Sequence, residues 1–171
     1  MERSSTSKRL GTVPGGKPAE PDEAEFEFPP EDSVGYLLRD TYRAFSRELA
    51  ARLAAEKVTI GMWYFLRALW EEEGLTQREL SRRIRMMEPT TVSALTAMER
   101  RGLVRRKSDP NDKRRRIVHL TAKGRALKAK LLPAAYMTNV LALEGIPEDE
   151  IAQFKKTLGK VKQNLIDLED D

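Results

Sequence analysis

The sequence contains no cysteine and only one histidine among its 171 residues. The absence of thiols excludes disulfides, thiolate metal sites and peroxide sensing through a cysteine. The single histidine, His119, provides little acid–base capacity near neutral pH and leaves a zinc site short of its usual ligands. The sequence also has no phosphate-binding loop. We therefore expect no enzyme activity, no catalytic residues, no metal site and no cofactor.

Long apolar runs are also missing. No stretch reaches the roughly 18 apolar residues of a transmembrane helix. Residues 1–5 do not begin a secretory signal, because no apolar segment follows them. Together with the lack of cysteine, these features predict a cytoplasmic protein with no membrane partner.

Charge is distributed unevenly along the chain, although the formal net charge is only +4. Residues 1–32 carry four basic and eight acidic side chains, whereas residues 100–116 carry nine basic and two acidic ones. A basic cluster of this density is typical of a surface that binds nucleic-acid phosphates. The alternative interpretation is a solvated charged loop.

Glycine, proline and apolar spacing divide the chain into segments. Residues 1–32 are rich in serine, glycine, proline and acids, and are predicted to be a disordered tail. From Ser33 onward the apolar residues recur mostly at helical spacing. The spacing predicts helices that begin near residues 33, 59, 76, 89, 121 and 148, with short strands over 104–107 and 116–120. The predicted fold class is mainly α with a small β-wing.

Two short helices in the middle of the chain have the pattern of a helix-turn-helix. Residues 76–83 begin with the capping box Thr76-Gln77-Arg78-Glu79 and form the supporting helix. Residues 88–101 form the helix that would enter the DNA major groove, with Val92 and Leu95 facing the domain. The alternative is a polar helix start without a ligand. The predicted DNA contacts on these helices are Gln77, Arg78, Glu88, Thr90, Thr91, Ser93 and Ala94.

A basic hairpin follows the second of these helices. Its tip contains Asp112 and is followed directly by four cations. Arg114 is the candidate for insertion into an A·T-rich minor groove, where the negative potential is enhanced. Asp112 is expected to hold and orient the Arg114 guanidinium. The predicted DNA-binding cations of the hairpin are Lys113, Arg114, Arg115 and Arg116.

The last helix carries apolar residues at alternating spacings of three and four, which is a heptad pattern. This pattern predicts a helix that contacts a second copy of the chain. The alternative is an ordinary amphipathic helix that packs on its own domain. The predicted dimer contacts are Ile151, Phe154, Leu158, Val161, Leu165 and Leu168.

The segment from Leu75 to Leu127 resembles the MarR family of bacterial transcriptional regulators. The motifs ERRGLV, DPNDKR and LTAKG occur in the order and spacing of that family. The resemblance implies a winged helix-turn-helix domain over 58–121, a helical dimerisation region over 33–57 and 122–168, and a homodimer that binds a palindromic operator in double-stranded DNA. It also implies a bacterial, nucleoid-associated protein, most often a repressor. Pro89 departs from the family, which often has a small polar residue there.

The resemblance further implies a small-molecule effector that lowers the affinity for DNA. Aromatic and arginine side chains on the first two predicted helices would suit an aromatic carboxylate or its CoA thioester. The alternative is that Trp63 and Tyr42 are core residues and that the arginines are solvated. The candidate effector residues are Tyr36, Arg39, Tyr42, Arg43, Trp63, Tyr64 and Arg67.

Two other functions remain as alternatives. A winged helix can serve as a protein-interaction module, although the basic hairpin disfavours this function. A protein that compacts DNA without sequence preference would also carry a basic surface. RNA binding is disfavoured, because the RNA major groove is too narrow for a helix.

Overall fold

A computed structural model describes residues 28–109, 112 and 115–170, with side chains described up to residue 168. The described chain falls into two compact units, one ending at Asp40 and the other covering Thr41–Asp171. Most of the predicted N-terminal tail lies outside the described residues. Its last part contains a single 3-10 turn at Pro30–Asp32.

After this turn, the described chain contains six helices and three short strands, which confirms the predicted fold class of a mainly α protein with a small β-wing. In chain order they are α1 (Val34–Ala54), α2 (Ile60–Glu71), β1 (Leu75–Thr76), α3 (Gln77–Arg83), α4 (Glu88–Arg100), β2 (Val104–Ser108), β3 (Arg116–Leu120), α5 (Ala122–Ala142) and α6 (Glu148–Asp170). Helix α5 continues through Pro133.

Threonine side chains begin three of the helices. Thr59 caps α2, Thr76 caps α3 and Thr121 caps α5, each by accepting a hydrogen bond from a backbone N–H of the first turn. The predicted capping box is present, because the Glu79 carboxylate also accepts from the Thr76 backbone N–H at 2.7 Å. The Thr76 hydroxyl also donates to this carboxylate. The hydroxyl bond, followed by the backbone bond, lowers the pKa of Glu79. In contrast, no side chain caps α4, which starts after Met87 with a proline in its first turn.

The three strands form one antiparallel sheet in the order β1-β3-β2. Strand β2 pairs with β3 from Val104 opposite Leu120 to Ser108 opposite Arg116. The sequence did not predict β1, whose two residues pair with Val118 and Ile117. This pairing ties the start of α3 to the sheet.

The hydrophobic core lies where α2, α4, the sheet and the first turns of α5 meet. Its fully buried side chains come from every one of these elements and from the end of α1. Trp63 belongs to this core and packs edge-on against Trp70, with ring centroids 5.8 Å apart. The largest fully buried side chains are Leu53, Phe65, Leu66, Leu69, Leu80, Leu95, Met98, Leu103, Leu120 and Leu131.

Apolar side chains remain exposed on the long outer helices. Along α1, Leu53 near the end of the helix is fully buried, whereas Leu38 and Tyr42 in its first half are exposed. Helices α5 and α6 also expose large apolar side chains, among them Tyr136 and Leu165. Among the described residues, no helix is both long enough and apolar enough to cross a membrane.

Candidate nucleic-acid interface

The rotation of α4 about its axis differs from the one that the sequence predicted. Thr91, Leu95 and Met98 face the core, and each is 0% exposed. Val92 was expected to hold the helix to the domain, but it is 41% exposed. The prediction that Thr91 contacts DNA is therefore wrong in this structure, because its side chain points into the protein. Val92 takes the outward position in its place.

The buried hydroxyl of Thr91 has no hydrogen-bond partner among the described residues. A buried hydroxyl without a partner costs about 1–3 kcal/mol of stability. We expect Thr91→Val to raise the free energy of unfolding by about 1 kcal/mol or more, since valine fills the same space without the unpaired group. Affinity for DNA should be unchanged. Urea denaturation and fluorescence anisotropy with labelled DNA measure the two quantities.

Thr138→Val is the matched control for this substitution. Thr138 is also buried, but its hydroxyl donates to the Ala134 carbonyl at 3.2 Å. Its replacement removes a hydrogen bond and should bring no gain in stability. A large loss of DNA affinity in folded Thr91→Val would contradict the inward orientation of Thr91.

Apart from Val92, the outward side of the first turns of α4 is polar. Glu88, Thr90 and Ser93 are exposed, whereas Ala94 is half-buried against the core. The Ser93 hydroxyl donates to the Pro89 carbonyl at 3.1 Å, which leaves its oxygen free to accept from a base edge. The Glu88 carboxylate lies 3.5 Å from the Arg78 guanidinium of α3. The starts of the two helices are thus joined by an exposed ion pair.

A partly buried contact of Arg106 fixes the hairpin to the helix-turn-helix. The Arg106 guanidinium donates to the Glu99 carboxylate of α4 at 2.8 and 3.1 Å, and to the side-chain carbonyl of Gln77 at 3.2 Å. The Arg106 backbone N–H also donates to Glu99, at 2.8 Å. These bonds, led by the one from the guanidinium, hold the pKa of Glu99 below its usual value. Gln77 is therefore already engaged within the protein.

Sequence reasoning did not find this contact, because it treated the basic residues of 100–116 as one group. Arg106 pairs with Val118 across the sheet and shares the face of Val104, which looks toward the core. Arg105 and Lys107 point to the other face and are exposed. The sequence did contain a signal for this contact, because side chains along a strand point alternately to opposite faces. That alternation places Arg106 on the inner face and Arg105 and Lys107 on the outer face.

The described part of the hairpin tip is held by backbone and side-chain bonds. The Asp109 N–H donates to the Arg115 carbonyl at 3.0 Å, and the Arg115 N–H donates to the Asp112 carbonyl at 2.9 Å. Arg115 and Arg116 are exposed; the first lies 3.4 Å from Glu79 and the second donates to the Ser108 hydroxyl at 3.2 Å. Lys113 and Arg114 lie outside the described residues, so the expected contact of Asp112 with Arg114 remains a prediction.

The candidate effector residues belong to both compact units of the chain. In the first unit, the Arg39 guanidinium lies 4.8 Å from the centre of the Tyr36 ring. In the second unit, the hydroxyls of Tyr42 and Tyr64 are 3.4 Å apart. Burial raises the pKa of Tyr64 to about 12, and its hydrogen bond lowers that of Tyr42.

Three further candidates have separate environments. Trp63 is a core residue, in agreement with the alternative interpretation. Arg67 lies 3.3 Å from Glu71, and Arg43 is exposed. No group of three or more potential metal-binding side chains occurs in the part of the chain that is described.

The heptad positions of α6 remain open to solvent in the single chain. Phe154, Leu165 and Leu168 are 50%, 59% and 68% exposed. Ile151, Leu158 and Val161 are only half-buried. The seam therefore does not pack fully on its own domain.

Sequence comparisons identify proteins that are similar to this chain. Residues 58–115 match the MarR family model. The chain is 39% identical over 88 residues to the HTH-type transcriptional regulator TtmR of Methylorubrum extorquens, covering 52% of this chain and 45% of that protein. It is 26% identical over 135 residues to the organic hydroperoxide resistance transcriptional regulator of Bacillus subtilis, covering 79% of this chain and 90% of that protein. The match to TtmR thus spans less than half of that relative.

Solved structures extend the similarity over most of the chain. The transcriptional repressor CouR, bound to a 23-mer DNA duplex, superposes with a TM-score of 0.72 at 25% identity, covering 77% of this chain and 94% of that one. PcaV from Streptomyces coelicolor, in complex with its natural ligand, gives a TM-score of 0.72 at 27% identity, covering 81% and 98%. The similar proteins are transcriptional regulators, which agrees with the expectation that this chain is not an enzyme.

Proposed function

We propose that this chain, which belongs to the MarR family of transcriptional regulators, binds a palindromic DNA operator as a homodimer and represses transcription until a small ligand releases it. The proposal includes a cytoplasmic location at the bacterial nucleoid. The ligand is an aromatic carboxylate or its CoA thioester. The DNA-bound CouR and the ligand-bound PcaV are the similar proteins that support these two parts.

The observation that carries the DNA-binding part is the contact of Arg106 with Glu99 and Gln77. It joins the hairpin, α4 and α3 into one body. Exposed cations of the hairpin are thereby held in a fixed position relative to α4. When a recognition helix is rigidly coupled to cations that bind phosphates, the phosphate contacts fix the register of the protein on the duplex. This coupling favours sequence-specific binding.

The exposed seam of α6 supports the homodimer. A single winged domain would bind its half-site weakly. A dimer that presents two domains at the spacing of the operator makes the second contact intramolecular, which raises affinity by about 10²–10⁴-fold. A protein-interaction module would have no need of the exposed cations at the hairpin.

DNA binding is tested first by fluorescence anisotropy with the DNA upstream of the chain's own gene. We expect that DNA to be preferred over random duplex by about 10³-fold or more. Equal affinity for both would favour a DNA-compacting protein. If the chain did not bind DNA even at low salt, its function would instead be that of a protein-interaction module. The addition of aromatic acids and their CoA esters tests the ligand, since the correct class should release the bound DNA.

The hairpin cations are tested by the salt dependence of binding. We expect Arg115→Gln/Arg116→Gln to reduce the slope of log affinity against log salt by about 3–4 for the dimer, because each subunit loses two phosphate contacts and each contact contributes about 0.9. Lys155→Gln/Lys156→Gln on α6 makes the same change in charge away from the hairpin and should leave the slope unchanged. If the two variants had equal slopes, Arg115 and Arg116 would not be contacts to DNA phosphates.

A further inference from the structure

A cleft of about 380 Å³ opens on the side of the second unit where α2, the end of α3 and α6 approach one another. Tyr64, Arg67 and Glu71 line it from α2. Arg83 and Arg85 line it from the end of α3 and the following turn, and Lys162 lines it from α6. We call this the cationic cleft. Its four cations face a single carboxylate, and the volume suits a small molecule.

Two of the four cations already have partners. The Glu71 carboxylate lies 3.3 Å from Arg67 and 3.7 Å from Arg83, and Arg83 also forms an ion pair with Glu72 outside the cleft lining. The two arginines and the two glutamates therefore form a network with no net charge.

Arg85 and Lys162 have no ion-pair partner within 4.0 Å in the described part of the chain. They come from elements far apart in sequence, the turn before α4 and the middle of α6. Cations brought to one cleft without a counter-charge repel one another, and an anion between them would relieve that repulsion.

The position of Arg85 is set by the turn between α3 and α4. Its backbone has a φ of 51°, a left-handed conformation that is unfavourable for a residue with a side chain. The turn is held by bonds from the Arg85 N–H to the Arg82 carbonyl at 3.1 Å and from the Met86 N–H to the Ser81 carbonyl at 3.0 Å. The hydroxyl of Ser81 also donates to the Met86 carbonyl. Arg85 thus projects from a constrained backbone.

We infer that the cationic cleft is a binding site for a small anion with two or more negative charges, of the phosphate or polycarboxylate class, held between Arg85 and Lys162. The arginine provides a planar fork of donors and the lysine a point charge, which together match the oxygens of such an anion. The Tyr64 side chain also lines the cleft, and its hydroxyl lies 3.4 Å from that of Tyr42.

An anion in this position has a consequence for DNA binding, and this step rests on the proposed function. It connects α6 to the turn that leads into α4, and it neutralises positive charge near the start of that helix. Both α6 and α4 contribute to binding of the operator in the proposal. The occupied cleft should therefore lower the affinity for DNA, and DNA should lower the affinity for the anion by the same factor.

The site is tested without DNA, by isothermal titration of the full chain with sodium pyrophosphate and, separately, with citrate at constant ionic strength. We expect one anion per chain, with binding weakened about tenfold or more in Arg85→Gln and in Lys162→Gln, because each removes a charge-assisted hydrogen bond. Lys156→Gln, on α6 but outside the cleft lining, is the matched control and should bind as the parent chain does. Circular dichroism checks that each variant is folded.

The outcomes separate the two ligand classes and the two proposals. Binding of pyrophosphate alone identifies a phosphate site, and binding of citrate alone identifies a polycarboxylate site. Binding of neither anion at millimolar concentration, or equal binding by the parent chain and Lys162→Gln, overturns the inference. A chain that binds pyrophosphate through Lys162 but does not bind DNA would keep the site and refute the proposed function.

Discussion

Two charges introduced into the apolar seam of α6, by Phe154→Glu/Leu165→Glu, are expected to lower DNA affinity by about 10²–10⁴-fold. Both side chains are at least half exposed in the single chain and lie on the heptad seam. In the proposed dimer they would be buried against the partner, where an unpaired carboxylate is strongly unfavourable. The variant should be a monomer that retains only the weak affinity of one winged domain. Sedimentation equilibrium measures the mass, and anisotropy measures the affinity.

Ala152→Glu/Gln153→Glu is the control for this variant. Both positions are exposed, lie on α6 and are off the seam. The pair adds the same charge, so it should keep the dimer and most of the DNA affinity. If the seam variant remained a tight DNA binder with the mass of a dimer, the seam would not be the dimer contact.

A second large effect is expected at Gly124, in the first turn of α5. A Cβ atom added there would lie 2.1 Å from the Leu103 carbonyl oxygen, which is backbone and cannot move aside independently. The same turn receives a hydrogen bond from the Trp70 indole to the Gly124 carbonyl at 3.0 Å. We expect Gly124→Val to destabilise the chain by about 3 kcal/mol or more, because α5 must separate from the sheet. Thermal unfolding should show a midpoint lowered by about 6 °C or more.

Gly159→Ala in α6 is the matched control. Gly159 is a helical glycine with nothing within 4 Å of the added Cβ position. Alanine should raise stability there by about 0.5–1 kcal/mol, because glycine is the poorer helix former. If Gly124→Val were as stable as the parent chain, the close packing of α5 on the Leu103 carbonyl would be wrong.

The local signals of the sequence predicted most of the secondary structure. The capping box at Thr76, the glycines that follow α2 and α4, and the turn formers between β2 and β3 act within a few residues of their position. Their effect does not depend on the rest of the fold, so the helix-turn-helix and the hairpin could be located from them. Strand β1 could not, because two residues carry no periodic pattern and the pairing of Leu75 with Val118 of β3 spans 43 positions.

The face that each residue presents was decided by the tertiary structure. On α4, the series Val92, Leu95, Met98 and the series Thr91, Leu95, Met98 both fit a helical stripe, and hydrophobicity alone favours valine. The packing of α4 against α2 and α3 selects the second series, so Thr91 is buried and Val92 faces outward. Tertiary packing also pairs Arg106 with Glu99 and places Arg85 and Lys162 in the lining of one cleft. Composition and local pattern therefore determined the fold class and the position of the basic segment, whereas contacts between residues distant in sequence decided which side chains are available to a ligand.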